Sequence, residues 1–444
     1  MGKILSGYLF PHPPIIVEEI GRGEEIKAKE TVKGCQALAK DIAHISPNTI
    51  IVITPHGPLF RDAISISTEE NLIGNFRNFG NRNLNFEFEN NVQLVNKIVE
   101  RAHKENIIMA EIDKDFAKTY NIDLKLDHGT LVPLYFVNKE YKDFKLVHIT
   151  YGLLSPQELF KFGKIIQSAV LELEEETIMI ASGDLSHKLS NEGPYGYSPY
   201  GEQYDKEIIN LLAKGDFKSI VDFDLNLCEK AGECALRSLM ILAGFLDGFK
   251  IESKVLSYEG PFGVGYGNAS FKIVEESEYV KLAKKSLEYY VKNRKIIDIP
   301  KNLSDKLLKE KRGAFVTIKM DNMLRGCIGT IGPTRDSLAE EIIYNAIAAG
   351  IEDPRFQPVT EEELPYLEYS VDVLYPPEPI DFMEELDVGK YGVIVSKGFR
   401  RGLLLPNLEG VDTPEEQVSI ALTKAGINRY EDYKMERFQV ERYF

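Results

Sequence analysis

Three short apolar runs in the first half of the chain each stop abruptly at a proline- or glycine-rich segment that carries a histidine. Runs of this length and β-rich composition predict buried strands. The carboxyl ends of parallel strands converge on one crevice of an open α/β sheet, and ligands bind there. We therefore expect a ligand site built from these pairs of runs and histidines: residues 8–10 with His12, residues 50–53 with His56, and residues 178–180 with His187.

Amphipathic helices are predicted between these strands. The stretch 157–173 places apolar side chains three or four residues apart, which is the spacing of one helix face. Helices are also predicted at 24–43 and 203–213, and a further strand at 145–149. Alternating strands and helices predict an α/β fold in which a mostly parallel sheet is covered by helices on both faces.

The length of 444 residues exceeds what one hydrophobic core usually serves, so two or three domains are expected. An acidic cluster at 275–278 precedes a new amphipathic helix at 280–291 and indicates a boundary. We expect a first domain at 1–274 and a second at 277–444. The pattern of the second segment predicts a separate mixed α+β domain, with strands at 313–319, 369–374 and 392–396.

Composition narrows the class of protein. A hydrophobic content of 43% is that of a globular protein. The net charge of -16 argues against nucleic acid or an anionic membrane as the main partner. The four cysteines form no CxxC pair, which indicates a reducing compartment. No apolar stretch approaches the roughly 20 residues of a membrane span, so we expect a cytoplasmic protein.

His12 and His56 are candidate metal ligands. Neutral imidazole is the commonest metal ligand in proteins, and two imidazoles with one carboxylate leave open positions for substrate and oxygen. The third ligand should be an acid or a thiolate further along the chain, and Glu233 and Cys234 offer both side by side. A glutamate suits Fe(II), whereas a thiolate suits zinc or copper better.

Three further residues near the strand ends are candidates for catalysis. His187 is assigned to acid–base chemistry, with Asp184 close by in the chain, and a hydrogen-bonding role in a loop is the alternative. His128, which is followed by Gly129, is expected to act as a hydrogen-bond donor behind the metal ligands. The remaining histidines lie in ordinary helix or strand contexts and are expected to be structural: His44, His103 and His148.

Two segments of unusual composition are expected to be structural. Residues 71–91 interleave asparagine with phenylalanine, which predicts a surface hairpin or loop rather than a substrate lid. Residues 260–267 carry four glycines. They predict a tight turn rather than a phosphate-binding loop, because no helix start follows them.

Residues 1 to about 274 resemble the class III extradiol ring-cleavage dioxygenases of the LigB type and their relatives, the Memo proteins. The matching motifs are PHPP, PHG, DHG followed by LVPL, and GDLSH. The dioxygenase pattern implies that Fe(II) is bound by His12, His56 and Glu233, that a small aromatic diol is the substrate, and that His187 is the acid–base catalyst. It also implies that His128 faces the oxygen and substrate side. In the Memo pattern the third ligand is a cysteine, which is Cys234 here.

Residues 277–444 resemble the AMMECR-type domain, whose biochemical role is not established. The matching motifs are LRGCIG at 324–329, DPRF at 353–356 and RGLLLP at 401–406. We expect Cys327 to be a structural cysteine rather than a nucleophile, because no histidine follows His187 in the chain to activate it. Arg325 and Arg355 are candidates for a small anion-binding cleft, with ordinary salt bridges as the alternative.

The fusion of these two domains resembles the AmmeMemoRadiSam system, which implies a separate radical SAM protein as partner. No cysteine cluster for an iron–sulfur centre occurs in this chain. Three hypotheses follow: an Fe(II)-dependent dioxygenase-like enzyme, a Memo-like metal-binding component of a modification system, and a metal-dependent hydrolase.

Overall fold

The structure is a computed structural model that describes residues 2–274, 276–320, 323–408 and 410–444. The chain divides into two compact units, residues 1–274 and residues 275–444. No helix within the described residues is both long enough and apolar enough to cross a membrane.

The first unit alternates strands and helices. Its strands are β1 (Lys3–Phe10), β2 (Thr49–Thr54), β3 (Ile64–Ser67), β4 (Asn71–Asn75), β5 (Asn85–Glu89), β6 (Met109–Ile112), β7 (Lys145–Thr150), β8 (Glu176–Ser182), β9 (Ile251–Glu259) and β10 (Tyr266–Ile273). Its α-helices are α1 (Glu18–Gly21), α2 (Lys29–Ile45), α3 (Val92–Lys104), α4 (Lys114–Tyr120), α5 (His128–Glu140), α6 (Pro156–Glu172), α7 (Pro199–Lys214), α8 (Phe217–Val221), α9 (Leu225–Ala231) and α10 (Leu236–Phe245). Short 3-10 helices occupy Pro14–Ile16, Glu24–Ala28 and Arg77–Phe79.

Eight of these strands form one sheet in the order β6-β3-β7-β2-β8-β1-β10-β9. The central strands β7, β2, β8 and β1 are parallel to one another, and β3 is parallel to β6. Three pairs of neighbouring strands are antiparallel: β3 with β7, β1 with β10, and β10 with β9. The predicted α/β fold with a mostly parallel sheet is confirmed.

Both faces of the sheet are covered by helices. Along β2, Ile51 and Ile53 enter one hydrophobic core together with residues of α3, α6 and α10. Ile50 and Val52 enter a second core together with residues of α2 and α5. Because successive side chains of a strand point to opposite faces, a strand buried on both faces must be apolar throughout. This explains the uninterrupted apolar runs in the sequence.

Helices α6 and α10 approach each other closely through Gly163 and Gly244. A Cβ atom added at Gly244 would overlap the carbonyl oxygen of Phe160, and one added at Gly163 would overlap that of Ile241. The two backbones can lie this near only because neither glycine has a side chain. The position of α10 is thereby fixed, and with it the segment that precedes Leu236.

We expect Gly244→Ala to lower the free energy of unfolding of the first unit by about 2 kcal/mol, because overpacking forces the two helices apart. Urea unfolding followed by circular dichroism measures the loss. Lys164→Ala, on the half-exposed side of α6, is the matched control and should change stability by less than about 0.5 kcal/mol. Equal stability of both variants would contradict the close-packing argument.

The second unit mixes helices with antiparallel sheets, which confirms the predicted α+β domain. Its strands are β11 (Ala314–Met320), β12 (Met323–Gly329), β13 (Leu367–Leu374), β14 (Glu378–Ile380), β15 (Gly392–Lys397), β16 (Arg400–Leu404), β17 (Lys434–Phe438) and β18 (Val440–Tyr443). Its α-helices are α11 (Glu278–Asn293), α12 (Asp305–Lys309), α13 (Leu338–Ile351) and α14 (Pro414–Ala425), with 3-10 helices at Leu364–Tyr366 and Met383–Glu385. The two four-stranded sheets have the orders β12-β11-β13-β18 and β14-β17-β15-β16.

Candidate metal centre

Three histidines from separate segments meet where the parallel strands end. His12 follows β1, His56 follows β2, and His128 is the first residue of α5. The Nε2 atoms of His12 and His56 are 3.0 Å apart, and the ring centroids of His56 and His128 are 4.1 Å apart. One ring nitrogen from each of the three lies within 4.8 Å of the others, a grouping that could hold a metal ion.

Hydrogen bonds fix the tautomer of His12, which is buried. Its Nδ1 lies 2.9 Å from the hydroxyl oxygen of Ser182, and that hydroxyl donates its hydrogen to the carbonyl oxygen of Gly129. Because the serine hydrogen is already used, Nδ1 of His12 must be the donor to Ser182. Nε2 of His12 therefore carries a lone pair directed toward His56, as a metal ligand requires.

Glu233 and Cys234 face different surroundings. The sulfur of Cys234 is 3.6 Å from Nε2 of His12 and 3.7 Å from Nε2 of His187. The carboxylate of Glu233 instead accepts hydrogen bonds from the backbone N–H of Leu236 at 2.7 Å and from the hydroxyl of Tyr204 at 3.2 Å. Glu233 thus satisfies the first turn of α10, while the thiol of Cys234 faces the imidazoles.

Burial raises the pKa of the Cys234 thiol well above its ordinary value, and the neighbouring carboxyl groups of Asp184 and Glu233 raise it further. The thiol is therefore protonated at neutral pH unless a cation is bound beside it. A metal ion supplies such a charge, and a coordinating thiol loses its proton.

His187 and Asp184 lie on the same loop but have different contacts. The ring of His187 stacks on that of Tyr195 with the centroids 4.9 Å apart. Burial and the neighbouring His56 lower the pKa of His187 to about 4, so its imidazole is neutral at pH 7. Asp184 accepts a hydrogen bond from the backbone N–H of His12 at 2.9 Å, and burial raises its pKa to about 7. Asp184 therefore anchors the turn that carries His12.

Sequence reasoning missed the part that His148 and Asp127 play behind the site. His148 is buried on β7, its Nε2 lies 3.0 Å from the Asp127 carboxylate, and its Nδ1 lies 2.8 Å from the Ser67 hydroxyl. Burial alone would raise the pKa of Asp127, but the hydrogen bonds and charge of His148 outweigh it and hold that pKa well below its ordinary value. Asp127 is thus an ionised, buried acceptor.

Asp127 also ties together two segments that carry histidines. Its carboxylate accepts hydrogen bonds from the Thr54 hydroxyl at 2.6 Å and from the backbone N–H of Thr130 at 3.2 Å. The Thr54 hydroxyl oxygen in turn accepts from the backbone N–H of His56 at 3.2 Å. Asp127 therefore caps α5, which begins at His128, and holds the turn of His56 against it. The available signal was an N-capping aspartate directly before His128.

Two exposed aromatic rings flank the imidazoles. The segment between β4 and β5 places Phe79, which is 39% exposed, against His128 with the ring centroids 5.1 Å apart. Tyr195, which is 59% exposed, covers His187 from the other loop. The predicted hairpin at 71–91 is confirmed, but it is more than a connection, because the aromatic ring of Phe79 reaches the histidine cluster.

Residues 6–269 match the family described as the catalytic LigB subunit of aromatic ring-opening dioxygenase. Residues 280–443 match the AMMECR1 family. The chain therefore belongs to the LigB family, with a LigB-type dioxygenase-like domain fused to an AMMECR1 domain, as the sequence motifs predicted.

Relatives include a protein that covers nearly the whole chain and shorter proteins that cover a little over a third of it. Protein CA_C1420 of Clostridium acetobutylicum is 48% identical over 460 residues, covering 98% of each chain. A protein of Thermotoga maritima is 53% identical over 173 residues, which are 38% of this chain and 99% of that protein. The solved structure of the uncharacterized protein PH0010 from Pyrococcus horikoshii is 37% identical, covers 38% of this chain and 92% of its own, and has a TM-score of 0.36.

We expect Asp127→Asn to destabilise the first unit by about 2 kcal/mol, because His148 and Thr54 lose a charged hydrogen-bond acceptor in a buried site. Equilibrium unfolding in urea measures this. Asp123→Asn is the matched control, since Asp123 precedes the same helix but its side chain is largely exposed. A loss of stability that is the same for both variants would contradict the proposed role of Asp127.

Proposed function

We propose that the first unit binds one transition-metal ion through His12 and His56 and acts on a small aromatic diol, as an enzyme resembling the extradiol dioxygenases. The observation that carries this proposal is the fixed lone pair on Nε2 of His12, which faces Nε2 of His56 at 3.0 Å. Two such nitrogens attract each other only if a hydrogen or a cation lies between them. Either the hydrogen of a neutral His56 in its Nε2–H tautomer or a bound metal ion can occupy that place. Burial lowers the pKa of both imidazoles, so a further proton is disfavoured.

The third donor decides which metal fits best. Two imidazoles and the carboxylate of Glu233 would suit Fe(II), the metal implied by the resemblance to the dioxygenases. Two imidazoles and the thiolate of Cys234 also accommodate zinc or copper. We propose Cys234 as the third donor, because its sulfur faces His12 whereas Glu233 is occupied by Tyr204 and the start of α10. When bound, the metal would supply Lewis acidity and, as iron, electron transfer to oxygen.

The chain's own residues would orient the diol and remove a proton from it. His187 is neutral at pH 7, and its Nε2 is 3.7 Å from the sulfur of Cys234. It is therefore placed to accept a hydroxyl proton from a substrate beside the metal ligands. His128 presents its ring between His56 and Phe79 and would contact the substrate from the other side.

A second candidate function is favoured by the same thiol. A centre with Cys234 as ligand fits the Memo-like hypothesis, in which the protein is a metal-binding component that works with a separate radical SAM protein and does not cleave rings. Both hypotheses use His12 and His56 as metal ligands. They differ in that only the dioxygenase would consume oxygen to cleave a ring.

Metal analysis of protein purified without oxygen tests the centre. We expect about one transition-metal ion per chain in the wild type, loss of that ion in His12→Ala and Cys234→Ala, and retention in Glu233→Gln, which is the matched control. Consumption of oxygen with catechol would separate the dioxygenase from the Memo-like candidate. Absence of bound transition metal in folded wild-type protein would refute the proposal, and loss of metal only in Glu233→Gln would make the carboxylate the ligand.

The aromatic rings that flank the histidines give a second test. We expect Phe79→Leu and Tyr195→Leu each to weaken the binding of catechol about threefold to tenfold, since an aromatic pair contributes on the order of 0.5–1.5 kcal/mol beyond its buried area. Calorimetric titration of the metal-loaded protein measures the affinity. Tyr197→Leu, an exposed ring in the same loop as Tyr195, is the control. Equal affinity in all four proteins would exclude these rings from the substrate site.

A further inference from the structure

The glycine-rich segment that connects β9 to β10 lies against the loop that carries His187. The backbone N–H of Leu185 donates to the carbonyl oxygen of Gly265 at 2.8 Å. The N–H of Gly265 donates in turn to the carbonyl oxygen of Ser186 at 2.7 Å. These two hydrogen bonds hold the chain directly before His187. We call residues 260–265 the glycine-rich turn.

The glycine-rich turn also holds the chain after His187. The N–H of Leu189 donates to the carbonyl oxygen of Gly263 at 3.0 Å. The N–H of His187 itself donates to the carbonyl oxygen of Gly232 at 3.1 Å, two residues before Cys234. The backbone on both sides of His187 is therefore bonded to the glycine-rich turn, and His187 itself to the segment of the proposed third metal donor.

A side chain at position 265 would displace a buried carboxylate. Asp205 of α7 is only 1% exposed. It accepts hydrogen bonds from the N–H of Ser186 and from the Tyr258 hydroxyl, both at 2.7 Å. A Cβ atom added at Gly265 would overlap Oδ2 of Asp205. It would push either the turn or Asp205 away from Ser186, and both hold the residue before His187.

The glycine-rich turn contacts the loop of Tyr195 as well. Gly263 has a φ of +77°, and a Cβ atom added there would lie 2.9 Å from the Cα atom of Gly193. Gly193 is two residues from Tyr195, whose ring stacks on that of His187 with the centroids 4.9 Å apart. The close approach of two glycine backbones therefore fixes the position of the ring that covers His187.

The direction of the His187 imidazole depends on where its backbone and Tyr195 lie. Nε2 of His187 is 3.7 Å from the sulfur of Cys234. A general base must lie within hydrogen-bond reach of the proton that it accepts. A misplacement of about 1 Å, even one caused far from the reacting atoms, can lower a rate about a hundredfold. Contacts that fix the backbone of His187 therefore bear on proton transfer.

We propose that the glycine-rich turn positions His187 for proton transfer, and that Gly263 and Gly265 are positioning residues. Because these residues have no side chains, the turn bonds to the chain on both sides of His187 while Asp205 and the loop of Tyr195 stay in contact with it. The proposal rests on the acid–base role proposed for His187, but the position of its ring can be measured without turnover.

Carbethoxylation by diethyl pyrocarbonate measures the access to the His187 ring in the full-length protein without added metal. Peptide mass spectrometry follows each histidine, and the exposed His44 is the internal reference. We expect Gly265→Ala to raise the rate at His187, relative to His44, about threefold to tenfold, the factor that corresponds to the loss of one aromatic stacking contact with Tyr195.

Two further variants make this measurement specific. Gly267→Ala is the matched control, because its added methyl group would meet the ends of the Leu185 and Ile209 side chains no nearer than 3.2 Å. It should leave the rate at His187 unchanged. Gly193→Ala presses on Gly263 from the partly exposed loop and leaves the turn itself intact. It should raise the rate about twofold, through partial loss of the same stacking contact.

Oxygen consumption with catechol gives a second readout in the metal-loaded protein. We expect Gly265→Ala to lower kcat about tenfold to a hundredfold. The KM for catechol and the metal content should stay at the wild-type values, because the metal donors His12, His56 and Cys234 are unchanged. Gly267→Ala should keep both kcat and KM.

Carbethoxylation of His187 at the wild-type rate in both folded Gly265→Ala and folded Gly193→Ala protein would overturn the proposal. So would an equal rise in Gly265→Ala and Gly267→Ala, or an equal loss of kcat in these two variants. If the wild-type protein consumes no oxygen with catechol, the proposed dioxygenase function fails, and the carbethoxylation rates still decide whether the glycine-rich turn positions His187.

Discussion

The parallel pairing of β1, β8 and β2 is the constraint on which the candidate site depends. In this register Phe10 is opposite Ser182, and Ile53 is opposite Ala181, so the three strands end at the same level. His12 and His56 follow within two residues of the ends of β1 and β2, the strands on either side of β8. Their Nε2 atoms are 3.0 Å apart. Burial of the strands on both faces secures the register, because a shift by one residue would exchange the two sets of core side chains.

Hydrogen bonds between buried polar groups fix the geometry of the site. Burying any of these groups without a hydrogen-bond partner would cost free energy. Ser182, Asp184 and Asp127 each accept or donate hydrogen bonds that fix a histidine or the turn that carries it. Removing one partner leaves the other buried and unsatisfied, which costs more than the bond contributes. The hydrogen bonds of Ser182 also leave Nε2 of His12 with an unused lone pair. The same hydrogen bonds therefore fix the position of His12 and make its Nε2 available to a cation.

The sequence allowed the strands, the fold class and the meeting of His12 with His56 to be predicted. A short apolar run that ends at proline or glycine is a local pattern, and it marks where a buried strand ends. It could not decide whether Glu233 or Cys234 is the third metal ligand. The side chains of neighbouring residues in a loop point in different directions, and only tertiary contacts determine which one faces the site. The bond between Asp127 and His148 joins residues on a helix start and a strand, and no local pattern indicates it. Arg325 and Arg355, expected as candidates for an anion-binding cleft, instead form salt bridges with Glu363 and Asp353, which is the alternative that the sequence left open.

X-ray absorption spectroscopy of the metal-loaded wild-type protein tests the central claim most directly, because it reports the atoms bound to the metal whatever the metal is. The geometry of His12, His56 and Cys234 predicts imidazole scattering together with one sulfur at about 2.3 Å. A spectrum that contains only oxygen ligands, with no imidazole contribution, would contradict the claim that the ends of β1 and β2 build a metal centre.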